Sequence, residues 1–329
     1  MVTMSQPTGL PAGLRLRAFD PETDYERFAE LIHASHRFDQ IDELPTVESL
    51  RTEQAHMEGF DARRDLLVAE ADGALCAAGR TTARTRDGRG NHHFDVWVAP
   101  AWRQQGLEEA LLVWIERRAA EVAAVDGRVG PRELETWVDG AQAEAAGLLR
   151  EHGYEIGRYG VLMCRDLTTP IAPRALPEGL EIRPVEPAHH RRIWDADVEA
   201  FRDHWNSLER TEADFEGWFA APELDTSLWR VAWAGDEVAG VVMPSIWAAE
   251  NALLGIRRGW LDHVSVRRPW RRRGVASALI VEALLGLRSA GMTEAFLGAD
   301  AENVTGAVRV YERLGFERAR TTVNYCKAF

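Results

Sequence analysis

The chain repeats itself. Gly13-Leu14-Arg15-Leu16-Arg17, standing before Asp20-Pro21, returns as Gly179-Leu180-Glu181-Ile182-Arg183 before Glu186-Pro187, an offset of 166. Val96-Trp97-Val98, Trp102-Arg103 and Gly106 return as Val264-Ser265-Val266, Trp270-Arg271 and Gly274, an offset of 168. His152-Gly153-Tyr154 returns as Leu314-Gly315-Phe316, an offset of 162. Offsets that drift by so few residues indicate one domain duplicated with loop changes, not a short solenoid repeat.

A length of 329 residues suits two such domains. Between the copies, Thr168–Gly179 carries Pro170, Pro173 and Pro177, which makes it a semi-rigid connection. The expected division is a first domain over 1–168, a linker over 169–179 and a second domain over 180–329.

Each copy reads in the same order. In the first, a strand over 14–19 precedes helices over 22–36 and 46–58, then strands over 66–71, 74–84 and 92–98. A helix over 104–124, a strand over 133–138, a helix over 141–151 and a strand pair within 154–166 complete it. The second follows as strand 180–185, helices 188–202 and 211–220, strands 228–234, 237–247 and 257–267, helix 272–290, strand 294–299, helix 303–313 and a strand over 316–328. That order predicts two α/β domains, more exactly α+β, each a mixed and mostly antiparallel sheet flanked by helices.

The chemistry concentrates in Trp260–Phe316. Leu261, His263 and Ser265 alternate with Asp262, Val264 and Val266, the period of a strand. Arg271-Arg272-Arg273-Gly274-Val275-Ala276-Ser277 follows and opens an apolar helix. A basic, glycine-containing turn at a helix N-terminus is suited to a phosphate, because its first N–H groups lack partners and the helix dipole favours an anion. The turn is neither GxxxxGK[ST] nor GxGxxG. It fits R-x-x-G-x-A through Arg271, Gly274 and Ala276, and it is followed by Asn303, Ala307, Tyr311 and Leu314-Gly315-Phe316. With these residues the chain resembles the GNAT superfamily of acyl-CoA N-acyltransferases, and within it the mycothiol synthase-like two-domain group.

That resemblance implies acetyl-CoA as co-substrate and no metal. The backbone of Val264, Ser265 and Val266 would pair with the pantetheine arm, residues 271–277 would hold the pyrophosphate, and Asn303 would order the backbone or the cofactor arm. An amine with a pKa of about 10.4 must lose a proton, and a thiol of about 8.5 gains from a proton donor as it leaves. Tyr311 stands where the family places its donor. Relatives often carry a Glu or His at the position of Trp260, so the base falls to Asp262. The acceptor, a small-molecule amine, is expected among Asp203, His204, Trp205, Trp218, Trp247, Glu250 and Trp260, where carboxylates and aromatic walls suit a cation. The rival to an N-acetyltransferase is a non-catalytic acyl-CoA-binding protein. Among acceptors, an antibiotic or a protein amine stands beside a mycothiol-type substrate.

The first copy departs from this pattern. Glu108 takes the place of Ala276, Leu149 that of Tyr311, and Ala141 stands near that of Asn303. It is expected to be degenerate.

Composition closes other routes. A net charge of −13 argues against nucleic acid as a partner. No apolar run approaches the ~18 residues of a membrane span, and the first residues lack the pattern of a signal peptide. Cys76, Cys164 and Cys326 form no CxxC, and the His92-His93 pair lacks ligand spacing, so neither disulfide nor metal is indicated. The cytoplasm is the expected compartment. Two fused copies already supply a pseudo-dimer, so a monomer is expected in preference to a homodimer.

Overall fold

A computed structural model describes residues 10–11, 13–86, 89–127, 130–205, 207, 209–221, 224–302 and 306–329. Asn303 lies outside the described residues.

The elements run β1 (Arg15–Ala18), α1 (Tyr25–Phe38), α2 (Val47–Ala55), α3 (Ala62–Asp65), β2 (Leu66–Ala71), β3 (Ala74–Arg86), β4 (Arg89–Val98), α4 (Leu107–Val125), β5 (Arg132–Asp139), α5 (Ala143–Glu151) and β6 (Glu155–Asp166). They continue with β7 (Glu181–Ile182), α6 (His190–Phe201), α7 (Glu212–Ala220), β8 (Arg230–Ala234), β9 (Glu237–Ser245), α8 (Ala248–Leu254), β10 (Arg258–Val266), α9 (Val275–Ser289), β11 (Glu294–Asp300), α10 (Ala307–Arg313) and β12 (Glu317–Ala328). The mixed α/β class read from the sequence is the one found. Details differ: residues 155–166 form a single long strand, not a pair, the strand expected over 180–185 shortens to β7, and the short helices α3 and α8 lie in regions read as loop. Local signals set several boundaries. The Thr46 hydroxyl accepts from the Ser49 amide at 3.0 Å and starts α2, and Thr211 with Asp214 forms a capping box on α7.

The chain divides into two compact units that interleave in sequence. One comprises Met1–Gly157, Thr211–Pro222 and Val323–Phe329; the other comprises Arg158–Arg210 and Glu223–Thr322. The strands of the first unit follow the order β1-β2-β3-β4-β5-β12, those of the second β6-β11-β10-β9-β8-β7. The final strand of each sequence copy therefore contributes part of its length to the other copy's unit: Arg158–Asp166 of β6, and Val323–Ala328 of β12. In the first unit, Asn324 of β12 is buried and donates to Glu135 of β5 at 3.2 Å. In the second, β6 pairs antiparallel with β11 from Gly160↔Asp300 to Asp166↔Glu294.

Each unit has a parallel pair beside antiparallel ones: β4 with β5, and β10 with β11. In the second unit the core lies between the sheet and α9, where Leu279, Ile280, Ala283, Leu284 and Leu287 are fully buried against Ala232, Ala239, Val242 and Leu297. Burying a leucine or isoleucine side chain stabilises by roughly 1.5–3 kcal/mol, so this face fixes α9 and with it the turn at its N-terminus. Leu111, Leu112 and Ile115 of α4 do the same in the first unit. The segment 170–179 has no regular secondary structure, yet Ile171 and Leu176 pack on the second unit's core.

Candidate active site

The turn before α9 is built as an anion cradle. Arg272 and Gly274 both adopt left-handed backbone, with φ of 60° and 87°. Gly274 is the N-cap of α9, and no side chain caps the helix. The first N–H groups of α9 are thus left for another acceptor. A Cβ on Gly274 would meet nothing within 4 Å, so glycine is there for its dihedral angle and not for want of space. Val275 is buried in the core, Ala276 packs against it, and Ser277 lines a cavity of about 470 Å³ together with Gly274, Pro173, Arg174, Val310 and Arg313.

Upstream of the turn, β10 is paired on one side and open on the other. Its parallel register with β11 runs only over Arg258↔Glu294, Gly259↔Ala295 and Trp260↔Phe296. From Leu261 to Val266 the strand continues along β9 while β11 pairs with β6. The strand edge beyond Trp260 therefore has no β11 partner, which is the splay expected at Val264–Val266. A β-bulge sits at the opening: Leu261 pairs with Pro244 and His263 with Met243, leaving Asp262 without a β9 partner. The bulge corrects the alternation read from the sequence. Leu261 joins the core with Val264 and Val266, while His263 and Ser265 face α6. An extra residue in one strand resets its parity.

Asp262, at the bulge, is exposed to solvent but stands in dense surroundings. Desolvation raises its carboxyl pKa, opposed by a hydrogen bond with Ser245 and the nearby His263. The Ser245 hydroxyl also accepts from Trp247 Nε1 at 2.9 Å. Beside this group, Asp197 and His263 are site residues that the sequence reading did not single out, joined to Ser265, which it did. His263 Nδ1 donates to Asp197 Oδ2 at 2.7 Å and Ser265 Oγ donates to Oδ1 at 2.8 Å, with Asp197 only 2 % exposed. Asp197 is 66 and 68 positions from the other two, so no local pattern brings it to them.

Tyr311 is buried on α10, edge-on to Phe316 with ring centroids 5.9 Å apart. Its hydroxyl has no hydrogen-bond partner among the described residues, and the oxygen is not sealed from solvent. Burial pushes its pKa up to about 12, so it holds its proton through the neutral range.

The expected acceptor residues do not all gather here. Asp203 instead holds two arginines: Arg268 Nε donates to Oδ2 at 2.8 Å and Arg271 Nη1 at 2.6 Å. These hydrogen bonds hold its carboxyl well below the usual range, and the carboxylate is committed to the loop rather than to an amine. Arg271 is equally committed, with Nε on the Val266 carbonyl at 2.8 Å and Nη2 on the Ala200 carbonyl at 3.1 Å. It braces the cradle, while the backbone beyond it forms the cradle. Trp218 lies on α7, in the other unit. Trp205 lies under Arg158, whose Cζ is 5.2 Å from the ring and which pairs with Asp300 at 2.9 Å. His204 Nδ1 lies 2.9 Å from the Trp205 carbonyl. Trp260 stacks near Phe296 at 5.5 Å, and Glu250 is buried on α8.

The first copy repeats the backbone of the cradle and inverts its charge. Gln104 and Gly106 have φ of 60° and 82°, and Arg103 repeats the brace by donating to Asp39 at 2.7 Å and the Val98 carbonyl at 3.3 Å. Here, however, Glu108 Oε1 accepts from the Gln104 amide at 3.3 Å. Its β4 pairs with β3 from Arg89 to Val98 without a bulge, and Leu149 fills the position of Tyr311 inside the core.

Comparison with known proteins agrees with this arrangement. The Acetyltransferase (GNAT) family matches residues 190–316. The mycothiol acetyltransferase of Geodermatophilus obscurus is 28% identical over 305 residues, covering 91% of this chain and 92% of its own. That of Salinispora arenicola is 31% identical over 263 residues, 79% of this chain and 80% of its own. The crystal structure of a GCN5-related N-acetyltransferase from Sphaerobacter thermophilus, 28% identical, superposes with a TM-score of 0.73 over 97% of this chain and 96% of that one. A cradle, a splayed strand and relatives along nearly the whole length lead to one conclusion: the chain belongs to the GNAT acetyltransferase family and is an N-acetyltransferase.

Proposed function

We propose that the protein moves an acetyl group from acetyl-CoA to the amine of a small, mycothiol-related molecule by direct attack in a ternary complex, with the chemistry in the second half. The observation that carries this reading is the open edge of β10 leading directly into an uncapped helix N-terminus.

The residues present fit the donor. The edge of Leu261–Val266 that faces away from β9 offers a strand-like partner for an amide-bearing arm. The turn at Arg272–Ser277 offers N–H groups and a positive helix end for a pyrophosphate. Acetyl-CoA, when bound, supplies an acetyl thioester as the electrophile.

The chain's own residues manage protons and position. Asp262 takes the proton of the incoming ammonium, directly or through one water; its raised pKa makes it a stronger base than an ordinary aspartate. Tyr311, neutral at working pH, gives its proton to the departing sulfur. Trp260, two residues before Asp262, and Trp247, hydrogen-bonded to Ser245, offer aromatic faces to a cation on the acceptor side.

Thiol release from acetyl-CoA, followed across a panel of small amines that includes mycothiol-related ones, tests the reading. Amine-dependent release that Asp262→Asn lowers by about 10²-fold is expected. Release that no amine accelerates would overturn it.

A further inference from the structure

We propose that the proline-rich linker is part of the donor site, and that its Arg174, together with Arg313 of α10, grips a phosphate group of coenzyme A. This rests on the acetyl-CoA reading and adds to it residues that lie outside the R-x-x-G-x-A turn.

The linker is fixed rather than loose. Arg165 donates to the Pro170 carbonyl at 2.8 Å, and Ile171 and Leu176 pack on the core on either side of Pro173-Arg174-Ala175. The prolines restrict what remains of the backbone freedom. The three residues between those anchors form one wall of the cavity of about 470 Å³ whose other walls are Gly274, Ser277, Val310, Arg313 and Leu314. The volume is within the range of small-molecule sites.

The charge around this cavity is unbalanced. Arg267, Arg268 and Arg271 are spent on Glu199 and Asp203. Arg174, Arg272, Arg273 and Arg313 are exposed and have neither ion pair nor side-chain hydrogen bond among the described residues. In a chain of net charge −13, four unpaired guanidinium groups beside a positive helix end lack only an anion. The duplication supplies an internal control. Where the second half has Gly274, Ser277 and Arg313, the first has Gly106, Glu109 and Glu151. The half whose cradle holds its own carboxylate keeps the glycine and carries acids at the other two positions, and the half with an open cradle carries none there.

The test is calorimetric titration of the full chain with CoA, 3′-dephospho-CoA and 4′-phosphopantetheine, for wild type, Arg174→Ala, Arg174→Glu and Arg313→Ala. All three substitutions are at exposed positions, and an unchanged melting temperature checks folding. Arg174→Ala is expected to weaken CoA about tenfold, and Arg174→Glu further, with the loss shrinking at raised salt. A loss confined to CoA places Arg174 on the 3′-phosphate; an equal loss for CoA and 3′-dephospho-CoA places it on the pyrophosphate. CoA affinity within twofold of wild type in all three variants would overturn the inference, while loss of binding on Gly274→Glu would still support the donor site. Failure of wild type to bind CoA at all would sink the donor reading itself.

Discussion

Asp197 and His263 are joined by a 2.7 Å hydrogen bond between α6 and β10, on the strand that carries Asp262. Because an ionised carboxylate only accepts, the bond puts the imidazole proton on Nδ1 and fixes the ring. The same carboxylate accepts from Ser265, so one buried group ties the helix to the strand just beyond the bulge. Asp197→Ala would remove the acceptor that part-buried His263 and buried Ser265 share and should cost roughly 1–3 kcal/mol of folding stability, read by urea denaturation. Asp197→Asn keeps an acceptor and should cost less. Equal stability of all three proteins would show that the bond does not brace the strand.

Asp262 predicts a pH dependence with a definite sign. Its folded-state pKa is raised above the unfolded value of about 3.9. The folded chain therefore binds this proton more tightly. The contribution of Asp262 to stability is full below the unfolded pKa and is lost as pH rises through the folded one. As a base it must be ionised, so the acid limb of kcat/KM should lie above that of an ordinary aspartate. Asp262→Asn should remove that limb and should stabilise the chain at pH 7 but not at pH 3. A limb that survives the substitution assigns the base elsewhere.

For Tyr311→Phe, the ring packing against Phe316 is kept and only the hydroxyl is lost. Turnover should fall about 10²-fold with the CoA dissociation constant unchanged. Stability should alter little, since that hydroxyl has no hydrogen-bond partner among the described residues. Unchanged turnover would remove Tyr311 from the proton path and leave it as core.

Glu108 makes the two cradles distinguishable. Its carboxylate already lies on the Gln104 amide, so titration of wild type with acetyl-CoA should give one site per chain. Gly274→Glu should abolish that site through steric strain at positive φ and repulsion of phosphate. Two sites in wild type would mean that Glu108 yields its place to phosphate. Glu108→Ala should then leave the affinity of the second site untouched.

Gly259 tests the packing that holds β10 on α9. A Cβ there would lie 2.5 Å from Leu287, which is fully buried and has little room to give. Gly259→Ala should destabilise by about 1–3 kcal/mol in thermal or urea unfolding. A neutral result would show that the strand and helix can separate locally.

The duplication, the order of elements and the anion turn are written in the sequence because each is local. Gly274 followed by a run of small and apolar residues is a turn into a helix wherever it is placed, and the same backbone recurs at Gly106. The loss of the donor tyrosine at Leu149 and the added charge at Glu108 are equally plain, since matching two copies needs no coordinates. What the tertiary structure alone decided depends on residues far apart. The bulge at Asp262 arises from register against β9 and moves Leu261 to the core face, which a strict period of two cannot foresee. Asp203 reads as a carboxylate for a substrate until Arg268 and Arg271 are found on it. Asp197 is silent in the sequence until α6 lies on β10. Part of the last strand of each copy joins the other copy's unit because hydrogen-bonding edges are matched in space and not along the chain.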